Sequence, residues 1–269
     1  MLRKGAITLA QPTQNQFLSN IFLTPKKNGA FRPVVNLKSL NQIIPYCHFK
    51  MEGIRQVKEM LLKGDYMVKI DLTDAFYNIP LHKESQELVR FLWRGNMYQF
   101  LCLCFWISPA PRIFTKIMKI PVSILRRLNI RIVIYLDDFI LMGRSLKEIL
   151  IARETTIFLL QHLGLIINLE KSNLTPSTTM EFLGILIDSI RMTLLLPREK
   201  VNKIISNCQQ IQKSYKITLR DLASLIGTLN SSAHAILPAP LQYRYLQDQL
   251  IGSLAKCTAP IGYIYRLIP

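Results

Sequence analysis

Acidic residues are scarce in this chain, and two long stretches have none. The 269 residues include 34 Lys and Arg but only 17 Asp and Glu, which gives a formal net charge of +17. No acidic residue precedes Glu52, and none occurs from Leu88 through Leu136. A basic balance this large points to a polyanionic partner, either a nucleic acid or an anionic membrane surface.

Long apolar runs and cysteine motifs are also missing. The longest apolar run, Phe100 to Ile107, is too short to span a bilayer, and the N-terminus has no cleavable signal pattern. Membrane binding is therefore the weaker option. The five cysteines form no C-x-x-C pair and no Cys/His spacing that fits zinc. We expect reduced thiols and an intracellular location, cytoplasmic or nuclear.

The predicted elements are mixed α and β up to about residue 196 and helical afterwards. Hydrophobic residues make up 49% of the chain, which argues against disorder. Capping boxes at Ser145 and Thr218 predict two helix starts, and Ser108-Pro109 predicts another. Strands are predicted over residues 20–24, 31–37, 66–72, 88–93, 97–102, 181–188 and 191–196. We expect an α+β fold with a boundary near Pro197, dividing the chain into residues 1–196 and 197–269.

Two adjacent carboxylates, Asp137 and Asp138, stand between two apolar runs of strand-like composition. Like charges about 4 Å apart repel by a few kcal/mol at an effective dielectric of ~20. The pair therefore suits either a solvated turn or a cation such as Mg²⁺. A hairpin tip is the simpler interpretation, although Asp-Asp is a mediocre two-residue turn.

A third carboxylate follows another apolar strand, at Asp71. Strand-end carboxylates from two places in a chain can hold two Mg²⁺ ions ~4 Å apart. That arrangement suits in-line attack on a phosphate, because charge that develops during the reaction is stabilised by the ions. The sequence therefore predicts a two-metal site formed by Asp71, Asp137 and Asp138.

With these motifs in order, the chain resembles a reverse transcriptase, most closely the polymerase domain of DIRS-like retrotransposons. The resemblance extends from about Arg3 to about Gln247. Its segments are Phe31–Leu37 (fingers), Asp71–Leu81 (first carboxylate motif), Ser108–Lys116 (the helix after the substrate loop), Tyr135–Asp138 (Tyr-x-Asp-Asp), Glu181–Gly184 (primer grip) and the late motifs at 222–227 and 237–241. Several motifs in the right order leave little room for coincidence.

The resemblance implies a right-hand polymerase, with fingers and an antiparallel palm sheet followed by a helical thumb-like region. It implies a nucleotidyltransferase that adds dNTPs to a primer on an RNA or DNA template, with two Mg²⁺ ions and no membrane partner. The implied roles are metal binding by Asp71, Asp137 and Asp138; triphosphate or sugar contacts by Lys26 or Lys27, Arg32, Asp74, Ala75, Phe76, Phe105 and Tyr135; proton donation by Lys171; and primer contact by Phe182, Leu183 and Gly184.

Each of these side chains also has a plainer interpretation. Lys26 and Lys27 fit a solvated turn, Lys171 fits an exposed loop, and Phe76 fits a hydrophobic core. Arg32 is better placed to bind phosphate, because it lies on a predicted strand in a segment without acids and can form bidentate contacts.

The substrate loop departs from the family pattern. Relatives have Leu-Pro-Phe-Gly-Leu where this chain has Leu103-Cys104-Phe105-Trp106-Ile107. Gly serves where the backbone approaches a ligand closely or takes a positive φ. We therefore expect Trp106 to crowd the nucleotide and, if φ is positive, to add strain of ~1–3 kcal/mol. Weakened or absent polymerisation follows from either effect.

Two alternatives stay open at this point. One is a catalytically inactive relic that still binds nucleic acid through its basic surface, which Trp106 favours. The other is a basic α/β protein without a site, in which Asp137-Asp138 is only a turn. Primer extension and Mg²⁺-dependent dNTP binding distinguish the three.

Overall fold

The computed structural model describes residues 1–14, 16–25, 29, 31–213, 217–236 and 239–256. The strands are β1 (Ile7–Leu9), β2 (Leu18–Pro25), β3 (Phe31–Val35), β4 (Tyr66–Thr73), β5 (Arg90–Trp93), β6 (Asn96–Phe100), β7 (Arg131–Tyr135), β8 (Asp138–Gly143), β9 (Ile166–Ile167), β10 (Asn173–Ser177), β11 (Thr179–Phe182), β12 (Ile185–Asp188) and β13 (Thr193–Leu195). The α-helices are α1 (Lys38–Ile43), α2 (Ile54–Met60), α3 (Lys83–Gln86), α4 (Ala110–Arg127), α5 (Leu146–His162), α6 (Arg198–Lys213), α7 (Leu219–Asn230) and α8 (Ala239–Lys256).

The chain forms two compact units. The first unit comprises residues 1–53 and 68–175, and the second comprises residues 54–67 together with the chain from 176 onward. Compactness thus divides the chain earlier than Pro197 and assigns α2 to the second unit. The functional division into fingers and palm (1–196) and a thumb-like region (197–269) stays a prediction.

A five-stranded sheet in the first unit has the order β1-β6-β5-β2-β3. Strands β2 and β3 pair antiparallel from Ile21↔Val35 to Pro25↔Phe31, as the alternating sequence predicted. The hairpin between β5 and β6 turns at Arg94 and Gly95, both with positive φ (51° and 79°), which matches the right-handed twist of the strands. One face of this sheet buries a cluster that includes Val35, Phe91 and Phe100.

A second sheet of the first unit has the order β10-β4-β8-β7, with β9 pairing on β4. The buried side chains of its inner strands are mostly apolar, as expected of strands covered on both faces, although β4 also carries Lys69 and Asp71. Ile70, Phe139 and Leu141 have no exposed surface. Helices α4 and α5 pack against β7 and β8, and α5 begins at the predicted cap, where Ser145 Oγ accepts a hydrogen bond from Glu148 N. Helix α4 continues through Pro121.

The outer edge of this sheet is covered by an ion pair. Strand β7 is the last in the order and would expose its backbone groups. Arg126 Nη2 donates to Ile132 O at 2.7 Å, and Glu52 Oε2 accepts from Ile134 N at 3.1 Å. Arg126 and Glu52 also pair with each other at 2.7 Å. Two backbone groups of the edge are thereby satisfied by side chains.

The second unit contains a three-stranded sheet, β11-β12-β13, and the last helices. The sequence predicted one strand over 181–188, but the structure divides that segment at a turn of Leu183 and Gly184, whose φ values are 51° and 70°. Thr218 caps α7 as predicted, and Leu222, Ile226 and Leu250 form the core between α7 and α8. Helix α6 carries apolar side chains at helical spacing, but none of its residues is buried.

Candidate active site

The paired carboxylates lie at the hairpin between β7 and β8. The turn residues are Leu136 and Asp137, closed by the pair Tyr135↔Asp138, so Asp138 already belongs to strand β8. Leu136 has φ of 54°, a left-handed conformation that costs an L side chain roughly 1–2 kcal/mol. Strained residues of this kind persist where the surroundings over-determine them, often at functional sites. The turn is therefore shifted by one residue from the Asp-Asp tip considered above.

Asp71 lies beside this turn, on the neighbouring strand β4. Leu72 N donates to Asp137 O at 3.0 Å, which joins the two strand ends directly. The backbone of Asp71 is held on its other side, because its N–H donates to Ser172 Oγ at 2.9 Å and its carbonyl accepts from Asn168 N at 2.8 Å. Asp71 and Asp137, 66 residues apart in sequence, are thus neighbours at the same end of the sheet. Their role as metal ligands stays a prediction.

Burial and mutual repulsion disfavour ionisation at this edge. The residue Asp71 is 6% exposed, and its Oδ1 has no hydrogen-bond partner. Burial raises the pKa of Asp71, Lys171 opposes that shift, and the charges of Asp138 and Asp137 add to it. Burial also raises the pKa of Asp137, and the charge of Asp138 contributes in the same direction. Such carboxylates are stabilised by a nearby cation.

Two lysines approach the carboxylates. Lys69 Nζ lies 3.0 Å from Asp138 Oδ1, and Lys171 Nζ lies 3.9 Å from Asp71 Oδ1. Both oxygens are buried and lack a hydrogen bond, so each contact is an ion pair by distance without the alignment of a hydrogen bond. Lys171 is mostly exposed, whereas the side chain of Lys69 is 22% exposed. Lys69 is accordingly the more confined cation.

The three carboxylates do not converge into one ligand set. Within the described part of the chain, no group of three or more His, Cys, Asp or Glu side chains is arranged to hold a metal ion. The predicted two-metal site of Asp71, Asp137 and Asp138 stays a prediction; in this structure Asp138 is paired with Lys69. The buried Oδ1 of Asp71, which accepts no hydrogen bond, fits a divalent cation, because such a cation prefers carboxylate oxygen.

A cleft of about 530 Å³ adjoins the carboxylates. Its charged lining carries both signs, with the cations Lys4, Arg32 and Lys171 and the carboxylates of Asp74, Asp137 and Glu170. Lys4 forms an ion pair with Asp74, which has a left-handed φ of 50°. The other lining residues are Met1, Pro33, Val35, Leu72, Thr73, Tyr77, Phe100, Phe105, Trp106 and Asn168. The cleft thus offers cations for an anionic ligand next to the carboxylate edge.

The aromatic residues divide between the cleft and the core. Phe76 is 4% exposed; its ring stacks on Phe114 and contacts the tilted ring of Phe105, with centroids 4.8 and 4.6 Å apart. It does not line the cleft, whereas its neighbour Tyr77 does. Burial and Asp74 raise the pKa of Tyr77 to about 12, so its hydroxyl stays protonated. Ala75 is buried at 1% exposure.

The loop of residues 103–107 and the residue after it are held by a side chain from helix α1. Asn41 Nδ2 donates to Trp106 O at 2.9 Å, and Asn41 Oδ1 accepts from Ser108 N at 2.7 Å. Trp106 is absent from the residues with positive φ, so the strain expected of a Gly-to-Trp change does not arise. Its side chain does line the cleft, and Cys104 is buried at 1% exposure.

The remaining predicted residues lie elsewhere. Tyr135 is half-buried on β7, opposite Asp138. Phe182, Leu183 and Gly184 form the β11–β12 turn of the second unit. Lys26 and Lys27 lie outside the described residues.

Sequence reasoning missed Lys4, Lys69 and Tyr77. Only Lys69 had a local signal, because side chains two apart on a strand share a face and Lys69 precedes Asp71 by two. Lys4 meets Asp74 across 70 residues, which no local pattern indicates.

Comparison with solved structures identifies the fold as a right-hand polymerase. A foamy viral protease-reverse transcriptase in complex with double-stranded DNA superposes with a TM-score of 0.76 at 23% identity, covering 93% of this chain and 42% of that one. The same viral protein in complex with an RNA/DNA hybrid gives a TM-score of 0.74 at 23% identity, covering 93% and 32%.

The chain belongs to the reverse transcriptase (RNA-dependent DNA polymerase) family, whose model matches residues 24–187. The Pro-Pol polyprotein of feline foamy virus is 27% identical over 237 residues, 88% of this chain and 19% of that protein. A Pol polyprotein from transposon 297 of Drosophila melanogaster is 29% identical over 154 residues, 55% and 14%. The chain therefore spans about a fifth or less of these two relatives. No helix among the described residues is long and apolar enough to cross a membrane.

Proposed function

We propose that this chain is an RNA-directed DNA polymerase, a nucleotidyltransferase that extends a primer with dNTPs on an RNA or DNA template. The observation that carries the proposal is that Asp71 and Asp137 lie at neighbouring strand ends. These ends are joined by the 3.0 Å hydrogen bond from Leu72 N to Asp137 O. Family membership and the adjoining cleft support it.

In the proposed reaction, the primer 3′-oxygen attacks the α-phosphorus of the dNTP. A P–O bond forms there, the bond to the β-phosphate oxygen breaks, pyrophosphate leaves, and the 3′-hydroxyl gives up its proton. Asp71 and Asp137 would hold two Mg²⁺ ions, which supply charge stabilisation and lower the pKa of the attacking hydroxyl. The feature of this chain that supports that role is the buried Oδ1 of Asp71, which accepts no hydrogen bond.

The cations of the cleft suit the triphosphate. Arg32 presents a planar guanidinium for bidentate phosphate contacts, and we propose Lys26 and Lys27 as its neighbours in that role. Lys171, which approaches Asp71 within 3.9 Å, is a candidate proton donor to the departing pyrophosphate. We propose backbone contacts to the phosphates for Asp74 and Ala75 and sugar or base contacts for Phe76, Phe105 and Tyr135.

Template-primer binding is proposed from charge and fold together. The net charge of +17 suits a phosphate backbone, and the foamy viral neighbours are complexes with double-stranded DNA and an RNA/DNA hybrid. Binding through phosphates should weaken steeply as salt rises. We propose Phe182, Leu183 and Gly184 as primer contacts by resemblance.

The finer assignment to DIRS-like elements is also a proposal. It is supported by the Ser108-Pro109-Ala110-Pro111 segment and by the motifs at 222–227 and 237–241, of which 237 and 238 lie outside the described residues. Sequencing the DNA around the coding segment tests it, because a neighbouring recombinase reading frame would support this subtype and an integrase frame would contradict it.

A second candidate function is nucleic-acid binding without catalysis. Trp106 favours it, because this side chain lines the cleft where relatives have glycine. Primer extension on a homopolymer template separates the two. Incorporation that disappears in Asp137→Asn supports the polymerase. No incorporation, with gain of activity in Trp106→Gly and unchanged template-primer affinity, supports the inactive relic.

A further inference from the structure

The position of Lys69 on strand β4 places its side chain beside the carboxylates. It precedes Asp71 on β4 by two residues, so both side chains lie on the same face of the sheet. Its Nζ is 3.0 Å from Asp138 Oδ1, on the adjacent strand β8. With side chains only 22% and 25% exposed, both partners are largely removed from water. Pairing of this kind is less screened than a surface ion pair.

The ion pair separates Asp138 from the other two carboxylates. The charges of Asp138 and Asp137 help to raise the pKa of Asp71, and the charge of Asp138 helps to raise the pKa of Asp137. Lys69 supplies a fixed positive charge at Asp138, whereas Asp71 Oδ1 has only the exposed Lys171 at 3.9 Å. The described residues accordingly contain no three-carboxylate cluster.

We infer that Lys69 is a positioning residue that binds Asp138 as its counter-ion, and so leaves Asp71 and Asp137 as the carboxylates available to a divalent cation. The inference rests on the proposed polymerase function and deepens it. Lys69 also limits the negative charge at these strand ends, so that a cation meets two carboxylates that Lys69 does not bind rather than three free ones. Without Lys69, Asp138 is free to turn toward the cation and to compete with Asp137 for it.

The test measures Mn²⁺ binding to the full chain without nucleotide. The electron paramagnetic resonance signal of free Mn²⁺ reports how much of the ion is bound. The variants are Asp71→Asn, Asp137→Asn, Asp138→Asn, Lys69→Met and the double variant Lys69→Met/Asp138→Asn. Lys147→Met is the matched control, because it removes the same charge from an exposed lysine at the start of α5. Lys69→Arg tests rescue by a conservative change.

We expect Asp71→Asn and Asp137→Asn to weaken Mn²⁺ binding strongly and Asp138→Asn to leave it nearly unchanged. Lys69→Met should tighten it by about two- to fivefold, the range in which a single charge pair of partial exposure acts. The double variant should return to the wild-type value, because the carboxylate that Lys69→Met sets free is then missing. Lys69→Arg should behave like wild type, and Lys147→Met should change little.

Two results would overturn the inference. One is an Asp138→Asn variant that loses Mn²⁺ binding as severely as Asp137→Asn does. The other is a Lys69→Met variant that is indistinguishable from Lys147→Met.

A double-mutant cycle of unfolding temperatures for Lys69→Met and Asp138→Asn in EDTA judges the ion pair independently of metal. Coupling between the two positions supports the pair, and strict additivity overturns it. If Asp71→Asn and Asp137→Asn both leave Mn²⁺ binding unchanged, the proposed polymerase function fails, and the cycle still decides whether Lys69 holds Asp138.

Discussion

Replacing Asp71 by Asn should stabilise the metal-free protein at neutral pH. Asp71 is buried, its Oδ1 lacks a hydrogen bond, and Asp137 and Asp138 repel its charge. A carboxyl group whose pKa is raised on folding stabilises the folded state when protonated, and that contribution is lost as pH rises through the folded-state pKa. Asn keeps the shape of the side chain and removes the charge.

The size of the effect follows from the pKa shift. Each unit by which folding raises the pKa of Asp71 corresponds to about 1.4 kcal/mol. For a chain of this size, 1 kcal/mol moves the unfolding temperature by roughly 2–4 °C. Asp71→Asn should therefore melt a few degrees above wild type at pH 7.5 in EDTA. The gap should close as pH falls toward 3.8, the ordinary value for Asp.

A divalent metal ion should make wild type more stable than Asp71→Asn, the reverse of the order expected in EDTA. A ligand that binds only the folded state at a hundred times its Kd adds about 2.7 kcal/mol. Wild type should gain that stability in Mg²⁺, and Asp71→Asn should gain much less. Circular dichroism melts at several pH values, with EDTA or Mg²⁺, measure both effects. An Asp71→Asn variant that is less stable than wild type in EDTA at pH 7.5 would refute the reasoning.

Three further predictions concern the cleft and the sheet. Trp106→Gly should raise kcat/KM for dNTP at least about tenfold in primer extension, or about 1.4 kcal/mol. The reason is that the Trp106 side chain lines the cleft, whereas its loop is held through the Trp106 backbone carbonyl. Unchanged kinetics would show that Trp106 does not obstruct the substrate. Lys4→Met should raise the KM for dNTP by about two- to fivefold at constant kcat, because it removes a cation from the cleft; a fall in kcat alone would contradict this. Gly143→Ala should lower the unfolding temperature, since its Cβ would lie 2.9 Å from Ile149 N, and overpacking costs ~1–3 kcal/mol. Gly227→Ala, with open space around the helical position, is the matched control and should stabilise slightly; an equal loss in both variants would argue against the clash.

The main elements of the first unit followed from local pattern. Alternation predicted the pairing of β2 with β3, and the apolar runs around Asp137 predicted β7 and β8. Ser145 and Thr218 act as helix caps because the cap is a contact between residues three apart, which sequence displays directly. The meeting of Asp71 with Asp137 followed from the strand-end position of each.

Other features depend on contacts that local sequence does not contain. The positive φ of Leu136 is imposed by the hairpin, and leucine itself disfavours it. The strand predicted over 181–188 breaks at Leu183, where a hairpin turn likewise imposes a positive φ on a leucine. The condition for strain at Trp106, a positive φ, is not met, because the loop reaches its position without one. Lys69 and Asp138 pair between strands whose adjacency only the fold creates.

The Arg126–Glu52 pair along strand β7 has a consequence for self-association. The two side chains occupy Ile132 O and Ile134 N, the groups by which a strand from another molecule would dock. Loss of Arg126 or Glu52 would expose these backbone groups next to the apolar interior of β7 and β8. We therefore expect the Arg126–Glu52 pair to hinder a second copy of this chain from adding a strand at β7.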